Sequence, residues 1–163
     1  YSAGMCLTFG GEAVVKRRIL IVECNAKIGG IQKALISLLK QIDDVYDITL
    51  LLLYRQGVLL QDIPANVRVL ETRSDFKYMG MAQADCITLQ DKLLRGMYVL
   101  LSKFVGRRFA VRLAVQTLCR DEQEEYDVAI AYSHMGGDHT FYAGAPEYVL
   151  HAVNAKKNMN LFH

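Results

Sequence analysis

Apolar positions along the 163-residue chain fall into two alternating rhythms. "RILIVE" (18–23) is an unbroken run rich in β-branched residues, the pattern of a strand covered on both faces. After the polar loop "CNAKIGG", apolar residues recur at Ile31, Ala34, Leu35, Leu38, Leu39 and Ile42, with Lys33, Ser37, Lys40 and Gln41 between them. That spacing predicts an amphipathic helix closed by Asp43-Asp44. "YDITLLLLY" (46–54) is a second buried strand, and strand–helix–strand over this length is a right-handed βαβ unit with parallel strands.

Further along, Pro64-Ala65-Asn66 turns the chain into a short strand at 67–71, and a hydrophilic stretch without a period follows at 72–87. Residues 88–120 predict either one long helix or two helices broken near Gly106. "YDVAIAY" (126–132) is another buried strand. Residues 139–153 predict a short helix interrupted near Gly144-Ala145-Pro146, and 156–163 a last strand. The alternation predicts a single α/β domain over 16–163: a Rossmann-like, doubly wound, mostly parallel sheet. Residues 1–15 read as a disordered leader or cloning remnant outside it. Ligands of such sheets bind beyond the carboxyl ends of the strands. That rule selects 24–30, 133–139 and the terminal His163, all expected at one edge.

Composition narrows the picture. With 52% hydrophobic residues the chain is neither disordered nor fibrous, and its length suffices to bury a core. The net charge of +2 is too small for a nucleic-acid footprint, so no nucleic-acid partner is expected. Cys6, Cys24, Cys86 and Cys119 are scattered without a CxxC pair, which argues against a zinc ribbon or thioredoxin-like site and for reduced, mostly buried thiols in a cytosolic protein. No apolar run is long enough to span a bilayer.

Gly29-Gly30 sits where the first strand turns into the first helix. One reading is that the glycines let a phosphate or sugar hydroxyl approach the free N–H groups of the first helical turn. The other is that a tight βα turn simply needs flexible residues. There is no GxGxxG, no GxxxxGK[ST] and no GxSxG nucleophile elbow, so dinucleotide, P-loop and α/β-hydrolase fingerprints are missing. Asn25 and Lys27 precede the glycines; they could reach a bound ligand, but ordinary loop polarity explains them equally well. A second glycine turn, Gly136-Gly137, lies between His134 and the Asp138-His139 pair, residue types able to do acid–base work. Three donors so close in one loop make a poor metal shell, so no metal is expected.

The order "RILIVE", "KIGGIQKALISLLKQI", "YDITLLLLY", "DIPANVRVLE", "YDVAIAYSHMGG" and "NAKKNMNLFH" resembles the N-terminal domain of the family 4 (group 1) glycosyltransferases of GT-B fold. In that family the first loop commonly reads Gly-Gly-x-Glu-(Lys/Arg). Gly29, Gly30, Ile31, Gln32 and Lys33 fill it here, with Gln for Glu. Lys156, Lys157 and His163 match a Lys-Lys-x-x-x-x-x-His strand. The resemblance implies transfer of a sugar from a nucleotide-sugar donor to a glycan or lipid-linked acceptor, usually with retention, in bacterial polysaccharide synthesis. No cofactor beyond the donor substrate is implied. Gly29, Gly30 and His163 would border the donor phosphate and transferred sugar. Asn25, Lys27, His134, Gly136 and Gly137 would face the acceptor. The family's Glu-x7-Glu segment is absent, so the chain is expected to be the acceptor-side half, lacking its donor-binding C-terminal domain and inefficient alone. The alternative is a non-catalytic Rossmann-like binding module.

Residues 88–120 carry Lys92, Arg95, Lys103, Arg107, Arg108, Arg112 and Arg120 against Asp91 alone, with many large apolar residues between them. A basic amphipathic helix of this kind either packs its apolar side on the sheet or lies on an anionic membrane. The expected location is the cytoplasm, the second reading adding a peripheral contact at the inner face of the cell membrane.

Overall fold

In the computed structural model, residues 15–72, 75–118, 124–133 and 144–161 are described. Five strands, β1 (Arg18–Glu23), β2 (Asp47–Leu52), β3 (Arg68–Glu71), β4 (Glu125–Ala131) and β5 (Asn154–Asn160), form one sheet in the order β3-β2-β1-β4-β5. Every pairing is parallel. Among the described residues four helices, α1 (Gly30–Ile42), α2 (Leu89–Val105), α3 (Arg107–Leu118) and α4 (Ala145–Ala152), lie between the strands. The fold is a Rossmann-like, doubly wound α/β sheet, as the alternating rhythms require.

The unbroken apolar strands follow from burial on both faces. Successive side chains of β1 point to opposite sides. Ile19 and Ile21, with Ile48, Leu50 and Leu52 of β2, pack against Leu35, Ile36 and Leu39 of α1. Leu20, Val22 and Leu51 face the other layer, where Val111 and Ala114 of α3 and Tyr148 and Val149 of α4 cover them. Within α1, Ala34 turns out exposed; the buried stripe is made by Leu35, Ile36 and Leu39, and Lys33 is solvated.

Three expectations need correction. The stretch 72–87, hydrophilic by count, is part of the core: 3-10 turns at Asp75–Met79 and Gln83–Asp85 bury Phe76, Tyr78, Met79, Met81 and Cys86. Phe76 meets Tyr148 at a ring separation of 5.2 Å. Short 3-10 pieces carry no 3.6-residue period, so these apolar residues leave no helical signature. The Gly144-Ala145-Pro146 step starts a helix, and 139–143 of the predicted one lie outside the described residues. Gly144 is the N-cap of α4 and Pro146 lies in its first turn, where a missing N–H costs nothing. Finally β5 begins at Asn154, two residues earlier than predicted, and is largely exposed.

The break at Gly106 is found as predicted: its φ of +87° is left-handed, which ends α2 and redirects the chain into α3. Cys24 and Cys86 are buried free thiols. Cys6, Cys119 and residues 1–14 lie outside the described residues.

Candidate functional site

β1 lies between β2, which continues the sheet to one side, and β4, which continues it to the other. The chain order therefore reverses between β1 and β4, and the carboxyl ends of these two strands frame the crevice where open α/β sheets bind ligands. Tyr132 just beyond β4 donates its N–H to the carbonyl of Val22, 2.9 Å away, which holds the two strand ends side by side.

At that point sits Glu23, the last residue of β1, only 1% exposed. Its Oε1 accepts from the Cys24 N–H at 2.8 Å and from Gln32 Nε2 at 3.4 Å. Its Oε2 has no hydrogen-bond partner. Burial raises its carboxyl from the usual 4.5 to about 7, the two hydrogen bonds opposing the shift only in part. Tyr132, buried beside it, has its own hydroxyl pushed up, first by burial and then by the charge of Glu23. The neighbouring Ser133 is also buried with its Oγ unpartnered. Buried polar groups normally find partners, so two without them at one switch point mark the place. Sequence reasoning passed over Glu23 because it closes an otherwise apolar run. A carboxylate as the last residue of a strand, at the edge where ligands bind, was the available signal.

Directly above Glu23 the chain turns through Gly29-Gly30 into α1. The N-cap Gly29 has no side chain to cap the helix, and no acidic residue occupies the first turn. Lys33 N–H bonds the Gly29 carbonyl, leaving the N–H groups of Gly30, Ile31 and Gln32 without intrahelical acceptors. Backbone geometry does not call for glycine here. Gly29 is extended (φ −162°), and a Cβ on Gly30 would meet nothing within 4 Å. A Cβ on Gly29 would crowd Gln32 Oε1, the side chain that donates to Glu23. Gln32 stands where the resembled pattern has Glu, and only the amide can donate to Glu23. Gly30 thus leaves open space at the helix start, Gly29 makes room for the Gln32 side chain, and neither relieves backbone strain. A cavity of about 10 Å³ beneath, lined by Glu23, Gln32, Leu35, Ile36 and Leu52, has the volume of a single water molecule.

Asn25 and Lys27, expected to face an acceptor, make contacts within the protein. Asn25 is buried; its Nδ2 donates to the Gly80 carbonyl at 3.0 Å and its Oδ1 accepts from Lys27 N–H at 3.2 Å. Lys27 Nζ pairs with both carboxylate oxygens of Asp85, at 2.6 and 2.5 Å. That contact, more than any other, holds the Asp85 carboxyl below its usual range. Both residues fasten the first loop to the segment before α2. The amide and ammonium are spent on the protein itself because the 72–87 segment folds inward against this loop.

His134, Gly136, Gly137, Asp138, His139 and His163 lie outside the described residues. The parallel pairing of β4 with β5 sets Ala131 opposite Asn160, so the carboxyl ends of both strands lie at the same edge as that of β1. Among the described residues no group of three His, Cys, Asp or Glu could hold a metal ion. The opposite edge carries charge instead: Glu124 accepts from Arg68 at 3.0 Å and from Arg18 at 2.6 Å, and these guanidinium groups hold its carboxyl down to about 2. That cluster ties together the amino ends of β1, β3 and β4.

No family model and no curated protein matches the chain. The reading of function therefore rests on the residues and their geometry.

Proposed function

We propose that the chain is the acceptor-side domain of a glycosyltransferase that moves a sugar from a nucleotide-sugar donor to a glycan or lipid-linked acceptor. The observation that carries this reading is the uncapped start of α1 at the β1–β4 switch point, kept open by a Gly30 whose backbone does not require glycine. Free N–H groups and the positive end of the helix dipole favour a phosphate there. Glu23, poised near neutrality beneath, can accept from a hydroxyl when ionised or donate when protonated. The order of weak motifs along the chain supports the sugar-transfer class over other phosphate-ligand classes. On this reading a second domain completes the cleft and supplies most of the donor contacts.

The test separates binding from folding. Gly30→Ala leaves thermal stability unchanged or slightly raised, since its Cβ meets open space and alanine favours helix. It is expected to weaken binding of a nucleotide sugar by about tenfold, one lost close approach to the phosphate. Titration calorimetry against UDP-, GDP- and ADP-linked sugars, on the full-length gene product, reads both binding and transfer. Silence toward every donor overturns the proposal; binding without turnover assigns a non-catalytic module instead.

A further inference from the structure

The outward side of α2 carries a stripe that the core does not use. Leu89, Leu93, Met97, Leu100 and Phe104 are each between 56% and 82% exposed. At 3.6 residues per turn they fall within an arc of about 80° and run about 22 Å along the axis. The core is met by other residues of the same helix: Leu94 and Tyr98 pack against it, and Ser102 is fully buried. A helix that merely covers a sheet shows water a polar outer face; α2 is apolar on both sides. The exposed apolar residues continue into α3 with Phe109, and Arg108 and Arg112 are exposed beside it. Lys92 and Lys103, both exposed, flank the stripe on one side. From 92 to 118 the sequence holds six basic residues and no Asp or Glu.

The geometry points to α2 and the start of α3 as an interfacial anchor that lies on an anionic lipid surface. Its apolar stripe enters the acyl boundary, and Lys92, Lys103, Arg108 and Arg112 meet the headgroups. Charge selects this occupant. A second copy would set Lys92, Lys103, Arg108 and Arg112 against the same four cations. A nucleic acid would leave the stripe facing phosphates. Among the described residues no helix is long and apolar enough to cross a membrane, so the helix rests in the interface rather than spanning it. Nothing in this argument uses the sugar-transfer reading, and its test reads vesicles rather than donors.

Co-sedimentation with vesicles of phosphatidylcholine alone, and of phosphatidylcholine with phosphatidylglycerol at equal parts, tests it. The chain should bind the anionic vesicles, bind the neutral ones weakly, and release as salt rises through the screening range. Leu93→Ser with Phe104→Ser should cut partition about tenfold or more. The melting temperature should not change, since both side chains are solvent-exposed. Lys103→Ala and Arg108→Ala should each cut partition about fivefold. No binding to anionic vesicles at low salt overturns the inference, as does unchanged binding of the double serine variant. Concentration-dependent self-association of the wild-type chain that the double variant abolishes assigns the stripe to a second copy and overturns it equally.

Discussion

Glu23 sets a pH dependence whose sign is fixed by its burial. Its carboxyl titrates near 7 in the fold and near 4.5 when exposed. Below about 4.5 it is protonated in both states and the fold keeps its full stability. As pH rises from 4.5 to 7 the unfolded chain ionises first, and the fold loses up to about 3 kcal/mol by the time pH passes 7. Glu124 works in the opposite sense: its depressed carboxyl adds stability above 4.5 that is lost as pH falls toward 2. Its side chain is 46% exposed, so solvent screening keeps that contribution small. Chemical denaturation between pH 5 and 8 should therefore show stability falling for the wild type, and Glu23→Gln should flatten that slope. A slope of equal size in the variant would assign the titration to another group. Gln32→Glu should steepen it, since it puts a second carboxyl where Glu23 Oε1 now receives a donor. The sequence shows Glu23 as a carboxylate closing a strand, but its burial and partners were not legible, because an alternation rule sees the sixth residue of a strand as a position and not as an environment.

At the level of elements the reading was most secure where a period was long. α1 and β1 follow it within a residue or two, and α2 and α3 break at the glycine that the run of charges and leucines already flanked. The fully buried Leu39 holds α1 to the sheet, and Leu39→Ala should cost about 2–5 kcal/mol in chemical denaturation. Gly57 is a different case, with no motif around it to mark its role. Its φ is +138°, and a Cβ there would come within 2.0 Å of the Ala26 carbonyl. Gly57→Ala should therefore destabilise by more than the roughly 1 kcal/mol typical of a glycine that merely needs freedom, and a melting temperature within a degree of wild type would contradict the close approach. The 3-10 turns and their buried Phe76 and Met79 were invisible for the opposite reason: they have tertiary contacts but no local rhythm.

Across the whole molecule, the all-parallel order β3-β2-β1-β4-β5 puts β1 in the middle and β5 at an edge with both Lys156 and Lys157 exposed. Lysines on an outer strand discourage pairing with another chain. Amide exchange should rank accordingly: slowest in β1 and β2, fastest in β5. Comparable protection in β5 and β1 would mean that its outer edge is covered in solution. The parallel class of the sheet was legible from unbroken apolar strands; the side of the sheet on which each helix lies was not, because strand runs buried on both faces look the same from either side. The Lys27–Asp85 pair, with Asn25 holding the Gly80 carbonyl and the Tyr78 hydroxyl donating to Asp91 at 2.7 Å in the first turn of α2, forms a continuous strap from the glycine turn to the outer helix. Tilting α2 would pull on the loop that roofs Glu23, and a ligand that locks the loop would in turn brace α2. Lys27→Met cuts the strap at its middle, and amide exchange should then quicken together at 25–30 and 80–91 while β2 stays slow.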